Sequence, residues 1–196
     1  MTNSDDITKQ VLDAARAAYA RRGYVETTVK GVAAAAGVAP DVVRRYYANR
    51  EALFAAAMRL PVDPATSIAQ LLAPGIDGLG ERMVRVTLRM LDDPETRDQL
   101  ADMVKMGAGA GKATASMREF FESAVIDRVV TFLGVPDARM RVTLASSYLM
   151  GIATSRYVLQ LEPLASATED EVVAMVAPAI QAALTTPTAT STRPRG

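Results

Sequence analysis

Apolar positions recur along most of this chain at the three-and-four spacing of an α-helix, and β-branched runs are scarce. Ile7, Val11, Leu12, Ala15, Ala18 and Tyr19 line one face of a first helix. It starts after Ser4 or Asp5 and stops at Gly23, where a left-handed cap is expected. Tyr24–Thr28 reads as a short extended link, and Thr28 or Thr27 caps a second helix over about Val29–Ala36. Gly37 turns the chain into a third helix near Pro40, whose missing N–H would have no helical partner at that position. Asn49 reads as the cap of a fourth helix running to about Arg59, and Pro61 and Pro64 break the pattern.

The pattern resumes with a short helix near Pro64–Leu72 and a glycine-containing loop to Gly80. Helices of about Leu79–Leu91 and Pro94–Met106 follow, and Gly107–Gly111 forms a joint. Three longer helices are expected over Lys112–Leu133, Asp137–Leu161 and Glu169–Leu184, the last opened by the capping box Thr168-Glu169-Asp170-Glu171. The Thr/Pro-rich tail from Thr185 reads as disordered over 186–196. The fold class is therefore all-α, with about nine helices. A three-helix helix-turn-helix domain spans 1–59, with its motif at about 29–50, and joins a helical domain over 60–185.

Composition narrows the chemistry. The chain has neither cysteine nor histidine, which excludes disulfides, thiolate chemistry, serine–histidine triads and the usual zinc sites. Its first residues, Met1-Thr2-Asn3-Ser4-Asp5-Asp6, do not read as a signal peptide. The uncharged stretch Val142–Ser155 is too short and too rich in Ser and Thr to span a bilayer, so a cytoplasmic protein away from membranes is expected. Net charge is zero over the whole chain. Between Gln10 and Arg50, however, seven basic residues face three acidic ones, a local +4. A basic head on an acidic body is the electrostatic footprint of a DNA reader with a second task.

Two short helices about a glycine turn, the second followed by aromatics, have helix-turn-helix geometry. Val43 and Tyr47 should face inward onto Val32 and Val38, leaving Pro40, Asp41, Arg44 and Arg45 outward on a face that fits a major groove ~12 Å wide. Gly23-Tyr24, Thr27-Thr28-Val29, Val32-Ala33, Ala36-Gly37-Val38, Tyr46-Tyr47 and Arg50-Glu51-Ala52-Leu53-Phe54 together resemble the amino-terminal region of the tetracycline-repressor (TetR) family. That resemblance covers about residues 8–58. It implies that Thr28 and Lys30 contact phosphates and that Pro40, Asp41, Arg44 and Arg45 lie along the major groove. It also implies that Tyr46 touches the DNA backbone and that Arg50 replaces the family's usual lysine at a phosphate. Ala39 joins this DNA-facing set where the family usually has a capping serine, so one cap is missing. Arg44 could read guanine and Asp41 could accept from cytosine.

The resemblance further implies a homodimer on a palindromic operator and a small-molecule effector, with no cofactor. Met83, Met90, Met103, Met106, Phe120 and Phe121 are candidate pocket residues, joined by Tyr148 and Tyr157, with Arg89 or Arg156 as a polar anchor. Such a lining suits a largely apolar effector. Ser147, Gly151 and Thr154 allow close helix approach, and Val172, Val176 and Ile180 form an apolar stripe, so these six are the candidate dimer interface. Gly107–Lys112 is not a phosphate loop, because Met106 and Ala113 stand where glycine and Ser/Thr are needed. A ligand-independent DNA-binding protein and a helical small-molecule carrier are the alternatives. An enzyme would need a nucleophile or acid/base pair that the sequence does not offer.

Overall fold

The computed structural model describes residues 2–60, 64–105 and 112–186. Among these residues the helices are α1 Thr2–Glu26, α2 Val29–Ala35, α3 Pro40–Tyr46, α4 Arg50–Ala57, α5 Pro64–Leu72 and α6 Leu79–Met90. They continue with α7 Pro94–Lys105, α8 Lys112–Phe121, α9 Asp127–Leu133, α10 Ala138–Ala153 and α11 Glu169–Thr185. A π-helical turn, Glu122–Ile126, runs α8 into α9 as one rod, which makes ten helices, and a second, Thr154–Val158, follows α10. Met106, the glycine joint at 107–111 and the tail beyond Thr186 lie outside the described residues.

Two sequence expectations need correction. The first helix does not end at Gly23, which bends the chain at φ 86°, ψ 175° before a further turn to Glu26. The bend breaks the helical ladder, but Thr27 Oγ1 donates to the Gly23 carbonyl at 2.7 Å and Glu119 accepts the N–H groups of Tyr24 and Val25. With those groups satisfied, the extra turn persists and the extended link shrinks to Thr27–Thr28. Helix α10 stops at Ala153, and its π turn ends at Val158 rather than Leu161. There Arg156 donates to the carbonyls of Leu164 and Ala167, which folds the following loop back on it.

Two main cores form. The head core contains Val11, Tyr19, Tyr24, Val32, Val43, Leu53 and Phe54, and it is completed by Phe120 and Ala124 from far along the chain. Phe120 stacks on Phe54 with ring centroids 4.4 Å apart and meets Tyr24 edge-on at 5.3 Å. Burying a ring of that size contributes about 1.5–3 kcal/mol, so the head depends on residues well beyond position 59. The second core gathers Leu79, Val84, Leu88, Val129, Val142, Val172, Ile180 and Leu184. The π turn between α8 and α9 lies where the rod passes from one core to the other. Its extra residue per turn rotates the apolar face from Phe120 and Ala124 to Ile126 and Val129.

Inside the second core, α6 and α11 touch at Gly80, where a Cβ would stand 2.6 Å from the Ala177 carbonyl oxygen. Gln181 fastens that contact, accepting the Gly80 N–H at 2.8 Å and donating to the Ile76 carbonyl at 3.0 Å. Arg141 is buried and donates to Asp137 at 2.7 Å and to the Leu184 carbonyl at 3.3 Å, tying α10 to the end of α11.

Candidate nucleic-acid interface

The head presents α2, a turn and α3 to solvent. Thr28 caps α2, its hydroxyl accepting the Gly31 N–H at 3.0 Å. Gly37, at φ 67°, turns the chain, and α3 opens on Ala39 and Pro40 without a side-chain cap. Burial of Val32, Ala33 and Val43, with Tyr47 half-buried beside them, fixes how α3 is rotated. Asn49 caps α4, accepting the Ala52 N–H at 2.7 Å.

This packing turns one set of expected DNA contacts outward. Thr28, Lys30, Ala39, Asp41, Arg44, Arg45 and Tyr46 are exposed, and Pro40 is half-buried at the start of α3. Asp41 and Arg44 are not independent, because they form an exposed ion pair at 3.0 Å. An exposed pair of this kind is worth less than about 1 kcal/mol, so DNA could separate it at small cost. Arg50 is engaged as well. Its guanidinium lies 4.3 Å over the Tyr24 ring and donates to the Val25 carbonyl at 3.3 Å. Tyr24 in turn donates from its hydroxyl to Glu51 at 3.3 Å. Burial pushes the hydroxyls of Tyr24 and Tyr47 above the ordinary tyrosine range.

Sequence reasoning missed the setting of Arg50. Its partners Tyr24 and Val25 are gripped from the other side by Glu119, more than ninety positions away. A glycine at the end of a helix signals a bend, but nothing local names the residue that holds it.

The structure disperses the expected pocket residues. Met83 is buried in the second core and Met90 is half-buried. Phe120 belongs to the head core, while Phe121 and Tyr148 are exposed. Arg89 is an exposed partner of Glu169 at 3.6 Å. Arg156 and Tyr157 stay together on the second π turn, where Tyr157 packs against a small cluster of Leu91, Leu100 and Ala153 and also against the second core that holds Met83. Met106 and the side chain of Met103 lie outside the described residues.

The expected dimer stripe divides too. Ser147 and Gly151 face solvent and Thr154 is half-buried, but Val172 and Ile180 point into the subunit's own core, with Val176 half-buried beside them. The face of α11 turned outward carries Met175, which is 83% exposed, with Ala174, Ala179 and Ala182. Among the described residues no helix is long and apolar enough to cross a membrane, and no carboxylate cluster could hold a metal ion.

Comparison with known proteins agrees with this geometry. Residues 11–57 match the family described as bacterial regulatory proteins, tetR family, and residues 77–184 match the tetracyclin repressor-like C-terminal domain. No curated protein matches the chain. Among solved structures, a TetR-family regulator from Streptomyces coelicolor A3 is 33% identical, with a TM-score of 0.51 over 94% of this chain and 98% of that one. NalD of Pseudomonas aeruginosa, a secondary repressor of the MexAB-OprM efflux pump, is 17% identical at a TM-score of 0.45, covering 94% and 98%. The fatty acid degradation regulator FadR of Bacillus halodurans is 16% identical at 0.47, covering 92% and 99%. The chain belongs to the TetR family of DNA-binding transcriptional regulators, which are typically repressors and not enzymes, and its helix-turn-helix is the part that meets DNA.

Proposed function

We propose that the protein is a homodimeric, ligand-responsive repressor that reads a palindromic operator in the cytoplasm. One observation carries the dimer. Met140, Leu144 and Tyr148 stand one turn apart on the solvent side of α10, with Ser147 and Gly151 between and beyond them. The outward face of α11, led by Met175, is apolar as well. A subunit on its own would leave these faces wet, whereas two copies pairing α10 and α11 would bury them as a four-helix interface.

A two-fold axis through that bundle sets two α3 helices on half-sites about one helical turn, ~34–36 Å, apart. Thr28, Lys30, Tyr46 and Arg50 serve the phosphates, and Ala39, Pro40, Asp41, Arg44 and Arg45 approach base edges. For the effector, the surviving pair on the second π turn is the best-supported location. Arg156 Nε is buried there without a hydrogen-bond partner among the described residues, its guanidinium 5.4 Å from the ring of Tyr157, which itself packs on Leu91 and Leu100. That combination suits an apolar molecule with one acceptor group. Binding would release DNA only if it favours one spacing of the heads over another.

The test is selection of bound sequences from a random DNA library at two salt concentrations, together with sedimentation of the free protein. A selected palindrome, a dimeric sedimentation coefficient and affinity that falls steeply with salt are expected. A well-behaved monomer, or no selected sequence, overturns the reading.

A further inference from the structure

We infer that Glu119, in the carboxy-terminal half, is a positioning residue for DNA binding that holds Arg50 ready for a phosphate. The inference rests on the reading above that Arg50 meets the DNA backbone. The bend at Gly23 takes the N–H groups of Tyr24 and Val25 out of the α1 ladder, and Glu119 Oε2 accepts both, at 2.9 Å and 3.1 Å. Hydrogen bonds from two backbone donors to one carboxylate are charge-assisted and directional, so they fix the orientation of these two peptides. The same two residues then hold Arg50 from their other side, the Tyr24 ring under its guanidinium and the Val25 carbonyl accepting from it. Glu119 and Arg50 are thus linked through two residues of backbone.

Other contacts already fasten α8 to α1, so Glu119 is not needed merely to join them. Ser116 Oγ donates to the Tyr19 carbonyl at 2.9 Å, Lys112 reaches the Arg21 carbonyl at 3.2 Å, and Phe120 is packed inside the head core. Glu119 adds aim. Because α8 lies within the segment matched to the carboxy-terminal domain, a shift of that helix would pull on the backbone that steadies Arg50 while leaving α2 and α3 intact.

The experiment measures the affinity of the full-length protein for a mixed-sequence DNA duplex across a salt series. Wild type, Arg50→Ala, Glu119→Ala and the double variant are compared, each with its thermal midpoint. The salt slope counts phosphates engaged, so each single variant is expected to lower it by about one per head. The double variant should fall no further than Arg50→Ala alone, because both changes remove the same contact. If Glu119→Ala fails to fold, Glu119→Gln, which keeps a weaker uncharged acceptor, is placed in the same cycle with the same expectation in smaller measure. A Glu119 variant that melts earlier but keeps the wild-type slope, or whose effect adds fully to that of Arg50→Ala, overturns the inference and leaves Arg50 at its phosphate. An Arg50→Ala protein with an unchanged slope removes the phosphate assignment itself, and the inference with it.

Discussion

Gly23 works under two constraints at once. Its φ of 86° is one that side-chained residues rarely adopt, and a Cβ there would stand 3.0 Å from Glu119 Oε2. Gly23→Ala should therefore destabilise the protein by about 1–3 kcal/mol, read from urea unfolding, because backbone strain and a displaced carboxylate combine. Tyr19 makes the opposite case. Its hydroxyl is buried in the head core and finds no hydrogen-bond partner among the described residues. Tyr19→Phe should be neutral or stabilising at pH 7, by up to about 1 kcal/mol in the same measurement. The same burial pushes the Tyr19 hydroxyl well above its ordinary range. Once pH passes about 10, unfolded tyrosines ionise while Tyr19 stays protonated in the fold, so stability falls as pH rises. The variant should lose less stability than wild type between about pH 9 and 11, the range over which a free tyrosine ionises.

At the scale of the element, α3 lacks a side-chain cap at its start. Ala39 is already in the extended conformation that a capping residue adopts, with φ −69° and ψ 144°, but has no side-chain oxygen to offer. Ala39→Ser should stabilise the head by about 0.5–2 kcal/mol, visible as a rise in the unfolding midpoint. Features of this kind were legible along the chain because they are written within a turn or two. Thr28 before α2, Asn49 before α4 and Thr168 with Glu171 before α11 all cap as the local pattern says. Contacts between distant residues were not legible, and neither was the choice of face where both sides of a helix are apolar. Val172 and Ile180 read as an exposed stripe because Met175, Ala179 and Ala182 opposite them are also non-polar. Only the packing of α11 on α6 and α10 decides which side is inside. Phe120 could not be assigned to the head, since its ring stacks on a residue sixty-six positions earlier.

For the whole molecule, the outward faces of α10 and α11 and the shared head core govern behaviour. Leu144→Glu places a charge on an exposed apolar surface, where it costs a folded subunit little but would be buried in a four-helix interface. If the proposed dimer forms through this face, the variant should sediment as a folded monomer and bind operator more weakly than wild type. The head core makes a second demand, because Phe120 and Ala124 close it. A fragment of residues 1–60 should accordingly show little cooperative melting by circular dichroism, whereas the full chain melts sharply. The order of synthesis gives this arrangement a further meaning. A nascent chain cannot finish its DNA-reading head until residue 124 has emerged, by which point more than half of the whole chain has been made. Chains ended or clipped before that point would then leave no folded reader behind to occupy DNA.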